Sequence, residues 1–185
     1  MSEYENLLDD PMVLRELIMD HYKYPHHHGL VDEMRYRRVH MSSESCIDDI
    51  TVQADILQEE ADYSAAEMLV LPGGMPGTTH LMENEELGRE IQNYVQIGRW
   101  VAAICAAPMV LGHLGVLEGR QATIYPGMEE HLEGATPMYE QKVVRDGRII
   151  TSKAPGTAMD FALELVDAMK GRTTAEEVRG ALVFG

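Results

Sequence analysis

Two short apolar runs, Met68 to Leu71 and Trp100 to Ile104, stop abruptly and have a helical pattern between them. Pro72-Gly73-Gly74 ends the first, and the second runs into Cys105 and two alanines. Between them Leu87, Ile91, Tyr94 and Val95 recur on one helical face, with Asn84 placed to cap its start and Gly98 to end it. Short apolar strands alternating with amphipathic helices predict an α/β fold with a mostly parallel sheet, covered by helices on both faces.

The same alternation continues downstream. Ala106 to Leu114 is predicted as a helix ending near Gly115, and Ala122 to Tyr125 as a third short strand. Lys142 to Thr151 carries two apolar pairs around Asp146-Gly147, a hairpin signal. Thr157 is predicted to open a helix, with Asp160 three residues on near a capping-box pattern and Phe161, Leu165, Val166 and Met169 on its apolar face. A last helix is expected from Thr173 or Thr174, with Glu176 and Glu177 in its first turn. Upstream, Asp10-Pro11 reads as the cap and first residue of a helix bearing Leu14, Leu17, Ile18 and Tyr22. A loop is expected at His26 to Gly29, with strands at Tyr36 to Met41 and Ile50 to Ile56.

Charge narrows the partners. A net charge of -16 repels phosphate backbones and anionic lipid, so neither nucleic acid nor a membrane surface is expected to bind. The longest apolar run, Val101 to Leu117, is broken by Pro108 and His113 and is too short to span a bilayer. The acidic start MSEYENLLDD lacks the basic and apolar regions of a secretory leader. Two cysteines, Cys46 and Cys105, fit a reducing compartment, and the expected location is cytoplasmic.

In open α/β sheets, sites form where strands end and helices begin. LPGGMPGT, Leu71 to Thr78, is a rigid turn with backbone N–H groups free to hold an oxyanion or a carboxylate. VAAICAAP, Val101 to Pro108, puts Cys105 at a strand-to-helix junction, where a helix N-terminus would favour the thiolate. Ala106 and Ala107 leave room for the tight turn that nucleophile elbows require. His113 and Tyr125 are possible auxiliary groups; a tyrosine donates a hydrogen bond but is no base near neutral pH.

LPGGMPGT, VAAICAAPMVL, YPGMEEHL, the RDGRIITS hairpin and APGTAMDFALELV, in this order over about 130 residues, resemble the DJ-1/PfpI family. The resemblance implies a flavodoxin-like three-layer sandwich and a homodimer. It implies Cys105 as the reactive residue, with a pocket at Gly73, Gly74 and Ala106. It implies glyoxalase or deglycase chemistry on small reactive carbonyls or glycated substrates, without a cofactor. A redox-sensing or chaperone-like dimer using the same cysteine is the alternative. Family members also carry a glutamate near the N-terminus, in a segment such as GFEE, that tunes the cysteine. Residues 1–40 contain no such segment, so activity is expected to be reduced.

The N-terminal stretch LRELIMDHYKYPHHHGLVDE, extended by VHMSSESCIDDI, instead resembles the start of SufU/IscU-type iron–sulfur scaffold proteins. That resemblance implies Cys46 and Asp48 as weak metal-ligand candidates, and a third possible role in metal or sulfur handling. The expected organisation is an atypical N-terminal segment over residues 1–45 and an α/β domain over 46–185, as in a junction of two patterns near Ile50.

Overall fold

The computed structural model describes the backbone of residues 39–40, 44–47, 50–53 and 59, and all of residues 56–58 and 60–185. The chain divides into two compact units. One includes Glu67–Gly185, and the other is Tyr24–Ala66. The predicted helix around Leu14 to Tyr22 and the loop at His26 to Gly29 lie outside the described residues.

Within Tyr24–Ala66, β1 (Val39–His40) pairs in parallel with β4 (Ile56–Leu57), while β2 (Glu44–Ile47) and β3 (Ile50–Gln53) form an antiparallel ladder. The run predicted as one strand from Ile50 to Ile56 is therefore two strands with different partners. Cys46 sits in β2 opposite Thr51; Asp48 lies outside the described residues.

The larger unit is built on a four-stranded sheet. Its strands are β5 (Met68–Leu71), β6 (Trp100–Ile104), β9 (Val143–Asp146) and β10 (Ile149–Ser152), in the order β5-β6-β10-β9. β6 is parallel to both β5 and β10, and only the edge strand β9 runs antiparallel. Parallel interior strands are buried on both faces and so read as unbroken apolar runs. Val101, Ala102 and Ala103 are accordingly all fully buried. A second, two-residue parallel pair joins β7 (Gln121–Ala122) to β8 (Thr136–Pro137). The predicted third strand is thus shorter than Ala122 to Tyr125 and begins one residue earlier.

Five helices complete the described chain: α1 (Gly77–Glu83), α2 (Glu85–Gln96), α3 (Pro108–His113), α4 (Ala158–Lys170) and α5 (Arg172–Ala181). α2 follows its sequence pattern closely. The Asn84 side chain accepts the Leu87 N–H at 2.9 Å, and Leu87, Ile91 and Tyr94 are buried as α2 packs on β6. α1 is not legible from composition, because Gly77, Thr78 and Thr79 are weak helix formers. On the sheet, Ala102, Ile150 and Phe161 form a buried cluster joined by Trp100, Ile104 and Leu165, which docks α4 across β6 and β10.

The hairpin of β9 and β10 pairs Asp146 with Ile149. Gly147, at φ +61°, takes the first of its two central positions, where a type II′ turn calls for glycine. The capping box expected at Thr157 does not form. Asp160 bridges to Lys142 at 3.0 Å, and the Thr157 hydroxyl turns back toward the preceding loop. The final helix starts at Arg172, behind a left-handed Gly171 (φ +88°), slightly before the expected threonines.

Candidate functional site

Cys105 leaves the C-terminal end of β6, the strand flanked by β5 on one side and β10 on the other. Its backbone is left-handed, with φ at +65°. For a residue with a Cβ that conformation costs about 1 to 2 kcal/mol and persists only when the surroundings hold it. Three neighbours do so. The Cys105 N–H donates to the Ser152 carbonyl at 2.9 Å, extending the β6–β10 ladder one step past its last pair. The Cys105 carbonyl accepts the Tyr125 N–H at 2.9 Å. Gly73 backs directly onto the turn: a Cβ there would lie 2.5 Å from the Cys105 Cβ and 2.6 Å from the Ile104 carbonyl oxygen. A residue other than glycine does not fit this approach.

After Cys105 the chain makes a tight turn through Ala106 and Ala107, both buried, before α3 begins. The helix expected from Ala106 starts instead at Pro108, and it is six residues long. Proline suits a first helical position because it has no N–H to leave unpaired. The sharp turn, rather than a long helix, therefore fixes where the thiol sits. Cys105 is a free cysteine of intermediate burial. Neither the Gly74 N–H nor the Ala106 N–H reaches a protein acceptor among the described residues. Unengaged backbone donors that face a thiol can stabilise an oxyanion formed by its addition to a carbonyl group.

The loops on both sides of β6 carry the same tripeptide. Pro76-Gly77-Thr78 follows β5 and Pro155-Gly156-Thr157 follows β10. Each threonine folds its hydroxyl back onto its own loop. Thr78, fully buried, gives both its N–H (2.8 Å) and its Oγ1 (3.0 Å) to the Gly74 carbonyl. That anchors Gly74 in its own left-handed conformation, φ +97°. The Thr157 Oγ1 lies 2.8 Å from the Ala154 carbonyl and 2.7 Å from the Ser152 Oγ. Sequence reasoning gave Thr78, Ser152 and Thr157 no role at the site; the repeated P-G-T after an apolar strand was the available signal for the two threonines.

The other candidates are distributed unevenly. Gly73 backs onto Cys105 and the Ala106 nitrogen, and Gly74 follows it in the same loop. Tyr125 reaches Cys105 through its backbone, and its side chain is exposed. His113 is exposed at the C-terminal end of α3, away from the turn at the start of that helix.

Comparison with known proteins agrees with this fold. Residues 34–168 match the DJ-1/PfpI family, a span that begins upstream of Ile50 and takes in Cys46 and Asp48. The chain is 39% identical over 136 residues to Protein DJ-1 homolog B of Arabidopsis thaliana, covering 73% of this chain and 31% of that protein. It thus spans about a third of the length of that relative. It is 32% identical over 126 residues to the glutathione-independent glyoxalase DJR-1.2 of Caenorhabditis elegans, covering 68% of this chain and 67% of that protein. The crystal structure of Drosophila melanogaster DJ-1beta superposes with a TM-score of 0.68 at 33% identity, over 74% of each chain. The fold is the α/β sandwich with a mostly parallel sheet that the sequence pattern predicts.

Proposed function

Because the chain belongs to the DJ-1/PfpI family, we propose that it acts on reactive carbonyls or glycation adducts, with Cys105 as the nucleophile. The observation that carries this reading is the left-handed backbone of Cys105 at the end of β6, backed by Gly73 and followed by the unengaged N–H of Ala106. The glyoxalase named among the relatives supports the choice of an α-oxoaldehyde as substrate.

With methylglyoxal the chemistry runs as follows. The Cys105 sulfur, as thiolate, forms a bond to the aldehyde carbon. The carbonyl π pair moves onto oxygen, where the Gly74 and Ala106 N–H groups receive it, and protonation gives a hemithioacetal. A proton leaves the former aldehyde carbon and another returns to the neighbouring carbon, converting the adduct to a thioester without net oxidation. Water then cleaves the thioester, releasing lactate and the free thiol. The middle step needs a base. The glutamate implied by the family resemblance has no counterpart in residues 1–40, so adduct formation is expected to outpace turnover. The same thiol on a homodimer in the cytoplasm, without an organic cofactor, completes the proposal.

The test is lactate production from methylglyoxal by the intact protein and by Cys105→Ser, with mass spectrometry of the adduct at short times. Adduct and lactate that both vanish in the serine variant support the reading. An inert Cys105 in the parent protein sinks it. A thiol that is oxidised readily by peroxide yet forms no lactate would favour redox sensing instead.

A further inference from the structure

The backbone of the nucleophile is held by the Ser152 carbonyl, and the Ser152 side chain pairs with the Thr157 hydroxyl in the loop after β10. Ser152 is the last residue of β10 and is fully buried; its carbonyl accepts the Cys105 N–H at 2.9 Å. Its Oγ lies 2.7 Å from the Thr157 Oγ1 and 2.9 Å from the Lys142 carbonyl. The Thr157 Oγ1 also lies 2.8 Å from the Ala154 carbonyl and accepts the Ala154 N–H at 3.1 Å.

Two hydroxyl protons therefore serve three short contacts. The 2.7 Å separation of the two hydroxyls calls for a proton between them, which leaves two arrangements; in one Thr157 donates to Ser152, which donates to Lys142. In the other Ser152 donates to Thr157, which donates to Ala154. Neither arrangement strands a carbonyl, because Lys142 also accepts the Lys153 N–H (3.3 Å) and Ala154 also accepts the Thr157 N–H (2.9 Å). The contact common to both arrangements is the one between the hydroxyls. It closes the six-residue span from Ser152 to Thr157 and fixes the end of β10 at the point where it meets the strained turn.

We propose that Ser152 and Thr157 are positioning residues for Cys105: their shared hydrogen bond holds the Ser152 carbonyl in the place that keeps the cysteine backbone left-handed and its sulfur presented for attack. This rests on Cys105 being the reactive group. It adds that residues touching neither sulfur nor substrate set its reactivity. A left-handed non-glycine residue relaxes readily once a restraint is lost, so a weakened Ser152 anchor lets the turn sample other conformations.

The experiment measures the second-order rate of Cys105 alkylation by iodoacetamide in the full chain, which reports on the sulfur without requiring turnover. Thr157→Val keeps the shape and removes the hydroxyl; it is expected to slow alkylation about fivefold, the factor equivalent to the ~1 kcal/mol of one hydrogen bond. Thr157→Ser restores the hydroxyl and should recover the parent rate. Ser152→Ala should slow the reaction to a similar extent, and the double variant should lose little more, since both remove one shared contact. Near-UV circular dichroism confirms that each variant is folded; should Thr157→Val not fold, Ser152→Ala and Thr157→Ser carry the comparison. A parent-like rate in the hydroxyl-deleted variants overturns the proposal, as does a Thr157→Ser as slow as Thr157→Val. If Cys105 is unreactive in the parent protein, the functional reading fails first, and that result is distinct from the other two.

Discussion

Gly73 and Cys105 occupy neighbouring turns so closely that a Cβ on the glycine would sit 2.5 Å from the Cβ of the cysteine. Two of the obstructing atoms are backbone, the Ile104 carbonyl oxygen at 2.6 Å and the Ala106 nitrogen at 2.9 Å, so no rotamer change relieves the clash. Gly73→Ala must displace the turn itself. The expected outcome is a stability loss of about 1 to 3 kcal/mol from overpacking and a fall of roughly tenfold or more in alkylation rate as the turn shifts. Urea unfolding and the alkylation assay read the two effects separately.

Backbone strain at Cys105 makes a second expectation. Cys105→Ala keeps a Cβ in the left-handed region, while Cys105→Gly removes it. The glycine variant should be the more stable of the two by about 1 kcal/mol, although glycine ordinarily costs stability relative to alanine. Equal stabilities, or a more stable alanine variant, would mean that the turn carries no strain worth measuring.

Core packing should be separable from the site. Ile91 is fully buried on the face of α2 that meets β6. Ile91→Ala leaves a cavity and should cost about 2 to 5 kcal/mol in chemical denaturation. The alkylation rate of the folded variant should stay near that of the parent, because the β6 end is held by Ser152, Tyr125 and Gly73 rather than by α2.

Ion pairs should divide by environment. Asp146 accepts the Gln121 N–H at 2.9 Å and faces Arg120 at 3.4 Å, tying the start of β7 to the hairpin. Asp146→Ala removes both contacts and, because the Gln121 N–H is exposed to water, should destabilise by about 0.5 to 1.5 kcal/mol. The bridge from Lys142 to Asp160 has a lysine side chain that is 66% exposed, so Lys142→Ala should change stability by less than about 1 kcal/mol. Thermal unfolding in low and high salt checks both, with the second effect shrinking further in salt.

What the amino-acid sequence determined on its own is local. Apolar runs bounded by glycine and proline placed β5 and β6 to the residue, and the 3.6-residue repeat behind Asn84 placed α2. The order of these elements, with the succession of motifs from LPGGMPGT to APGT, was enough for the fold and for locating Cys105 at a strand end. The weak helix formers of α1 and the late start of α3 at Pro108 escaped the same reading, since tertiary packing overrides propensity in helices of six or seven residues. Only the tertiary structure decided how the turn is held. Gly73 meets Cys105 because Leu71 pairs with Ala103, and the Ser152 carbonyl meets the Cys105 N–H because Ser152 pairs with Ile104. Those registers join segments about 30 and about 50 residues apart. Periodicity says which face of a strand is buried, but the alignment of one parallel strand against the next is settled by packing across the whole sheet.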